Sequence, residues 1–170
     1  MLTRVVVAVG ILCLILPASG FAQGFSQGDK TFDLSGTGVA DKDFDNSAFS
    51  FQGALGYFFT DNIEGLVRQD LAFADVGNSS WSAATRVALE YNFDMGRVWP
   101  FVGGGLGYIY GDDVHDTWVG GIQGGARVFV NQTTYILGMA EYEWLFDSGD
   151  DDGFDDGRWV FSLGIGFRWQ

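Results

Sequence analysis

The stretch Arg158-Trp159-Val160-Phe161-Ser162-Leu163-Gly164-Ile165-Gly166-Phe167-Arg168-Trp169 decides the fold. Trp159, Phe161, Leu163, Ile165, Phe167 and Trp169 alternate with Arg158, Val160, Ser162, Gly164, Gly166 and Arg168. A period of two is that of a β-strand, whose successive side chains point to opposite faces. One face is wholly apolar, and the other is small or charged. Residues 47–59 repeat the pattern, with Phe49, Phe51, Leu55, Tyr57 and Phe59 opposing Ser50, Gln52, Ala54 and Gly56. In residues 81–93, Trp81, Val87, Leu89, Tyr91 and Phe93 oppose Ser82, Ala84, Arg86, Glu90 and Asn92.

Working outward, eight such segments fill the chain: residues 31–39, 47–59, 63–74, 81–93, 99–110, 117–130, 134–146 and 158–169. The interior of an eight-stranded barrel holds only a limited set of side chains. The aromatic face is too bulky for it and is expected to meet lipid, with the small and charged face turned inward. Segments of about ten residues also match a tilted strand that crosses a bilayer. Connectors 60–62, 94–98 and 131–133 are short, whereas 40–46, 75–80, 111–116 and 147–157 are generally longer and all contain Asp. Short periplasmic turns alternating with longer outward loops complete the expectation of an all-β, eight-stranded antiparallel transmembrane β-barrel, an up-and-down meander.

The first 22 residues read as a cleaved signal peptide: Arg4 gives a positive start, an apolar run follows, Pro17 breaks it, and Gly20-Phe21-Ala22 supplies the cleavage site. Residues 23–170 would then form one barrel domain in the outer membrane. The only cysteine, Cys13, lies in the removed segment, so neither disulfides nor a thiol nucleophile are expected. Loss of Arg4 takes the net charge from −13 to −14. Such a chain repels nucleic acid, and no nucleic-acid partner is expected.

Four stretches carry a family resemblance: Asp41-Lys42-Asp43-Phe44-Asp45-Asn46, Leu55-Gly56-Tyr57-Phe58-Phe59-Thr60-Asp61-Asn62, Trp99-Pro100-Phe101-Val102-Gly103 and the closing Ser162-Leu163-Gly164-Ile165-Gly166-Phe167-Arg168-Trp169. With them the mature chain resembles the small outer-membrane β-barrel domains of OmpA-like and porin-like proteins. These motifs report barrel geometry rather than function. The resemblance implies outer-membrane lipid as surroundings and the barrel-assembly machinery as a partner during biogenesis. Members of that family usually finish on an aromatic residue, whereas here Gln170 follows Trp169.

By strand parity the lumen-facing charges are Asp33, Glu64, Asp70, Glu90, Glu141 and Glu143 against Arg68, Arg86, Arg127, Arg158 and Arg168. They read either as an eyelet that selects ions or, the favoured reading, as mutually satisfied salt bridges closing a narrow bore. Trp81, Trp99, Trp118, Tyr142, Trp144, Trp159 and Trp169 are expected as interface girdles. Asp41, Asp43, Asp45, Asp150, Asp151, Asp152, Asp155 and Asp156 are candidate ligands for loop-bound calcium or magnesium. The Asp41-x-Asp43-x-Asp45 run begins like a calcium loop but has Asn46 and Gln52 in place of its glycine and its bidentate glutamate. No other cofactor is expected. His115, the single histidine, lies in an Asp-rich loop away from Ser82 and Ser148, so no triad and no enzyme is expected. The expected function is structural or surface-interacting, by a monomer with a mostly sealed lumen. The alternatives are a narrow porin for small or cationic solutes and an exported soluble lipocalin-like binder.

Overall fold

Alternation along every segment, broken by turn-forming residues, leaves the chain one economical arrangement: neighbouring strands pair and the last returns to the first. The computed structural model, which describes residues 24–40, 47–76, 78–111, 117–146 and 157–170, has that arrangement. Its strands are β1 (Lys30–Ala40), β2 (Ser47–Phe58), β3 (Ile63–Val76), β4 (Asn78–Asn92), β5 (Val98–Gly111), β6 (Thr117–Phe129), β7 (Thr134–Phe146) and β8 (Gly157–Trp169). Each pairs antiparallel with the next, and β1 closes on β8. A closed sheet satisfies every ladder hydrogen bond internally, which is what strands surrounded by hydrocarbon require.

The outer face is predominantly apolar, interrupted by a polar cluster of Gln69, Thr85 and Tyr110 that hydrogen-bond to one another. Trp159, Phe161 and Leu163 of β8 are 63%, 67% and 68% exposed, and Phe51, Val67, Val87 and Ile122 are exposed on other strands. In water such a surface would be costly; against lipid it is matched. A soluble binder of the lipocalin kind would turn this face inward.

One end carries three tight turns, 59–62, 93–97 and 130–133, together with the starting lead and Trp169; we call it the turn end. Side chains build these turns. Asn131 Oδ1 accepts from the backbone N–H of Thr133 at 2.9 Å and of Thr134 at 2.8 Å, and Thr60 Oγ1 accepts from that of Ile63 at 2.9 Å. Gly96 adopts φ +77°, a left-handed conformation that glycine takes without strain, while Asp94 Oδ1 accepts its N–H at 2.8 Å.

At the opposite loop end, connectors 41–46, 112–116 and 147–156 lie outside the described residues. The expected loop at 75–80 is instead strand. β3 and β4 pair as far as Val76↔Asn78, which leaves only position 77 between them. The polar run Asp75 to Ser80 reads as loop by composition, yet Asp75, Val76, Asn78, Ser79 and Ser80 all join the ladder.

The β1–β8 seam is the shortest joint. It runs from Lys30↔Trp169 only to Gly36↔Leu163, whereas β1 pairs with β2 along its whole length, to Ala40↔Ser47.

Candidate functional site

The lumen is built in three tiers. At the turn end the lead enters the barrel: Ser26 to Asp29 forms a tight turn, with the Asp29 N–H donating to the Ser26 carbonyl at 3.0 Å and Gly28 at φ +91°. The turn is fastened to β2 by Gly28 N–H to the Phe58 carbonyl and Phe58 N–H to the Asp29 carbonyl, both at 2.9 Å. Phe25 is thereby pushed into a box of rings. It stacks on Phe58 with centroids 4.4 Å apart and meets Trp99, Phe129 and Tyr135 at 5.2, 5.1 and 5.5 Å. Edge and offset contacts of this kind add to the burial of the rings themselves. Leu137, Met139 and Phe101 complete this buried cluster. Outside the plug, Arg168 Nη1 pairs with Asp29 Oδ2 at 2.6 Å, and Arg168 Nε donates to the Gln132 carbonyl at 2.9 Å.

Above the plug stands a ladder of three arginines. Arg127 of β6 lies over the Phe101 ring, its guanidinium carbon 4.6 Å from the centroid. Its Nη2 pairs with Glu90 at 2.7 Å and Glu64 at 2.9 Å, with Asp33 at 3.8 Å, and its Nη1 donates to Asn92. Tyr135 donates its hydroxyl to Asp33 at 2.6 Å, and Thr31 donates to Glu64. Arg68 of β3 bridges to Glu141 at 3.0 Å and to Gln123 at 3.1 Å, while Gln123 donates to Glu90. Arg86 of β4 pairs through Nε with Asp70 at 3.1 Å and through Nη1 with Glu141 at 3.2 Å and with Glu143. Shared carboxylates thus join all three arginines into one network across β1, β3, β4, β6 and β7. Charges buried this way persist only when paired and hydrogen-bonded.

Glycine makes room for the network on the opposing strands. A Cβ at Gly166 would collide with the Asp33 carboxylate and the Tyr135 ring, and one at Gly56 with the Glu64 carboxylate and the Thr31 hydroxyl. Close approach, rather than curvature alone, accounts for glycine at these two positions.

The third tier, towards the loop end, is a cavity of about 280 Å³. Asp70, Arg86 and Glu143 form its floor, and Ser35, Ser50, Ser82 and Ser162 stand in its wall.

Of the charges read as lumen-facing, Asp33, Glu64, Arg68, Asp70, Arg86, Glu90, Arg127, Glu141 and Glu143 come together in the ladder. Arg168 does not: it sits at the turn-end mouth on Asp29, an acid the parity argument passed over because it precedes β1. The side chain of Arg158 lies outside the described residues. Among the described residues the ladder therefore holds six carboxylates against three arginines.

Trp81, Trp118, Trp159 and Trp169 are exposed on the outer face. Tyr142 and Trp144 are half-buried beside them, with Tyr142 ring contacts of 5.0 Å to Trp144 and 5.2 Å to Trp159. Trp99 is the correction. It is 2% exposed, points into the lumen, and donates its indole N–H to the Gly96 carbonyl at 2.8 Å. The turn end must be filled, and a large ring with a satisfied N–H fills it. The candidate cation ligands Asp41, Asp43, Asp45, Asp150, Asp151, Asp152, Asp155 and Asp156, and His115, lie outside the described residues. No metal-holding group of His, Cys, Asp or Glu occurs among the described residues.

No family model and no curated protein matches the sequence. Solved structures do match. The chain is similar to the N-terminal β-barrel domain of Pseudomonas aeruginosa OprF, at 18% identity and TM-score 0.55, over 84% of this chain and 98% of that one. It is similar to Neisserial surface protein A at 13% and 0.56, over 82% and 94%, and to the outer membrane protein OprG of P. aeruginosa at 14% and 0.56, over 88% and 99%. Apolar wall, meander order and these likenesses agree: the chain has the fold of the small eight-stranded outer-membrane β-barrels.

Proposed function

We propose that the protein is a monomeric outer-membrane barrel with a structural or surface-interacting role, without catalysis and with a lumen closed to solute flow. The observation that supports this reading is that the ring cluster around Phe25 and the salt-bridged side chains from Arg127 to Arg86 follow one another along the bore. The outward apolar belt supports lipid as its surroundings, and the fold it shares with outer-membrane proteins supports that membrane and its assembly machinery as the route of insertion. The signal-like first 22 residues support export.

A second reading, a narrow path for small cations, is favoured by one observation: six ladder carboxylates outnumber three arginines. Planar-bilayer recording separates the two. The closed reading expects no steady current from the wild-type barrel, whereas a steady current that changes with Glu141→Gln or Arg86→Gln supports conduction. Release of the protein from envelopes without detergent would overturn the membrane reading itself.

A further inference from the structure

We infer that the outer wall carries a site for one anionic glycerophospholipid, with its phosphate on Lys30 and an acyl chain in a furrow that climbs the wall from there. Such a site presupposes the lipid-embedded barrel proposed above.

One row of paired positions lays the furrow out. Lys30 stands between Trp169 and Tyr57, and the row continues through Gly65 and Leu89 to Gly104. Directly paired residues share a face of the sheet, and Tyr57, Leu89 and Trp169 are exposed, so the row lies on the lipid side. Glycine at two of its positions leaves gaps between ridges. The gap at Gly65 lies in a groove of about 610 Å³, with Leu55 and Tyr57 on one bank and Val87 and Leu89 on the other. A second hollow, of about 400 Å³, shares Val87 and Leu89 and borders Gly104. Among the described residues that line the two, Lys30 is the one charge.

The furrow has a direction. Lys30 is the first residue of β1, whereas Tyr57 lies one residue from the turn-end limit of β2, Gly65 two from that of β3, Leu89 three from that of β4 and Gly104 six from that of β5. Stagger between the strands of a closed barrel thus lifts the row from the rim into the wall. A cation at the rim, with an apolar furrow running from it toward the middle of the hydrocarbon, is the outline of a lipid with its head at the interface and its tail inward.

Charge chooses the head. Lys30 is exposed, and among the described residues no carboxylate pairs with it and no acceptor takes the indole N–H of Trp169 beside it. The acids of the same rim are engaged elsewhere, Asp29 with Arg168 at 2.6 Å and Asp61 with the Gln27 N–H at 2.8 Å. A phosphate offers acceptor oxygens to both free donors. A zwitterionic head brings a cation of its own to the same place and an anionic head does not, a difference of about fivefold for a single lysine at a membrane surface. Short turns mark the periplasmic side of such barrels, where the lipids are glycerophospholipids rather than lipid A.

The test places the full chain in phosphatidylcholine vesicles with a trace of lipid that carries a diazirine on its acyl chain, under either a phosphatidylglycerol or a phosphatidylcholine head. Adducts are mapped by peptide mass spectrometry, and those on Val67, Val87 and Leu89 are divided by those on Val128 and Ile136, outward residues of β6 and β7 across the barrel. This ratio is expected to be about fivefold higher for phosphatidylglycerol, to fall to the phosphatidylcholine value in Lys30→Gln, and to hold in Lys30→Arg. The comparison of heads in the wild type stands on its own should Lys30→Gln not insert. Equal ratios for the two heads, a preference that survives Lys30→Gln, or stronger furrow labelling by a lipid A probe with the same tail overturns the inference. Absence of adducts over the whole wall overturns the lipid-embedded reading instead, whereas adducts spread evenly with no preference for either head leave that reading and remove the site.

Discussion

Between the turn end and Glu90 the lumen is packed with Phe25, Phe58, Trp99, Phe101, Phe129 and Tyr135, whereas beyond Asp70 the wall is mostly serine and alanine, with Gln52, Ile109 and Val160, around open space. The backbone differs less: both halves are walled by the same eight strands, although β1 and β8 pair only from Lys30↔Trp169 to Gly36↔Leu163, on the turn-end side. What differs is side-chain volume, and with it how much each half contributes to packing. A filled half needs large rings and paired charges; an open half needs small residues. The comparison teaches that a barrel of eight strands is neither solid nor hollow by nature, but by tier.

Removing the arginine at the join of the two halves is expected to break the molecule most severely. Arg127→Ala leaves Asp33, Glu64 and Glu90 buried without the cation they share, at a cost of about 3–5 kcal/mol in urea unfolding of the lipid-embedded barrel. A loss below about 1 kcal/mol would mean that the charge network does not hold the filled half together.

Phe25→Ala comes next. It removes a buried ring without touching any strand ladder, so a loss of about 3 kcal/mol reports ring packing together with the contact of the Arg127 guanidinium, 5.6 Å from the ring centroid, read as a lowered unfolding midpoint with unchanged strand content by circular dichroism. If the midpoint does not move, the lead is not part of the fold's stability.

The smallest effect belongs to the other half. Ser162→Ala, whose side chain borders the cavity, should change stability by no more than about 0.5 kcal/mol. A large loss there would erase the contrast between the halves.

Much of this architecture was legible from residue order. Alternation along β8 and β4 gave strand faces, and parity placed the acids and arginines of the ladder, because a strand must send every second side chain inward. The turn-end filling was not legible by the same rule, since treating every aromatic as lipid-facing leaves the mouth of the barrel empty. The signal was present in the parity of Trp99 and Phe101, which share a face with Gly103, Gly105 and Gly107, and in Phe58, which breaks step with Tyr57 and Phe59. Phe25 carried no such signal. It lies outside any strand, and its role depends on a turn fastened to a residue far along the chain. The extent of β3 and β4 was likewise hidden, because serine, aspartate and asparagine mark turns by frequency and join ladders when a partner strand offers the register.

The Asp29–Arg168 pair has a mechanical side. Both ends of the barrel sequence leave from the same rim, so a pull applied between Lys30 and Trp169 loads the short β1–β8 joint by peeling, rung after rung, rather than by shearing all rungs together. Under such a load the ion pair at the rim is stretched first, and Arg168 acts as the rivet at the head of the tear.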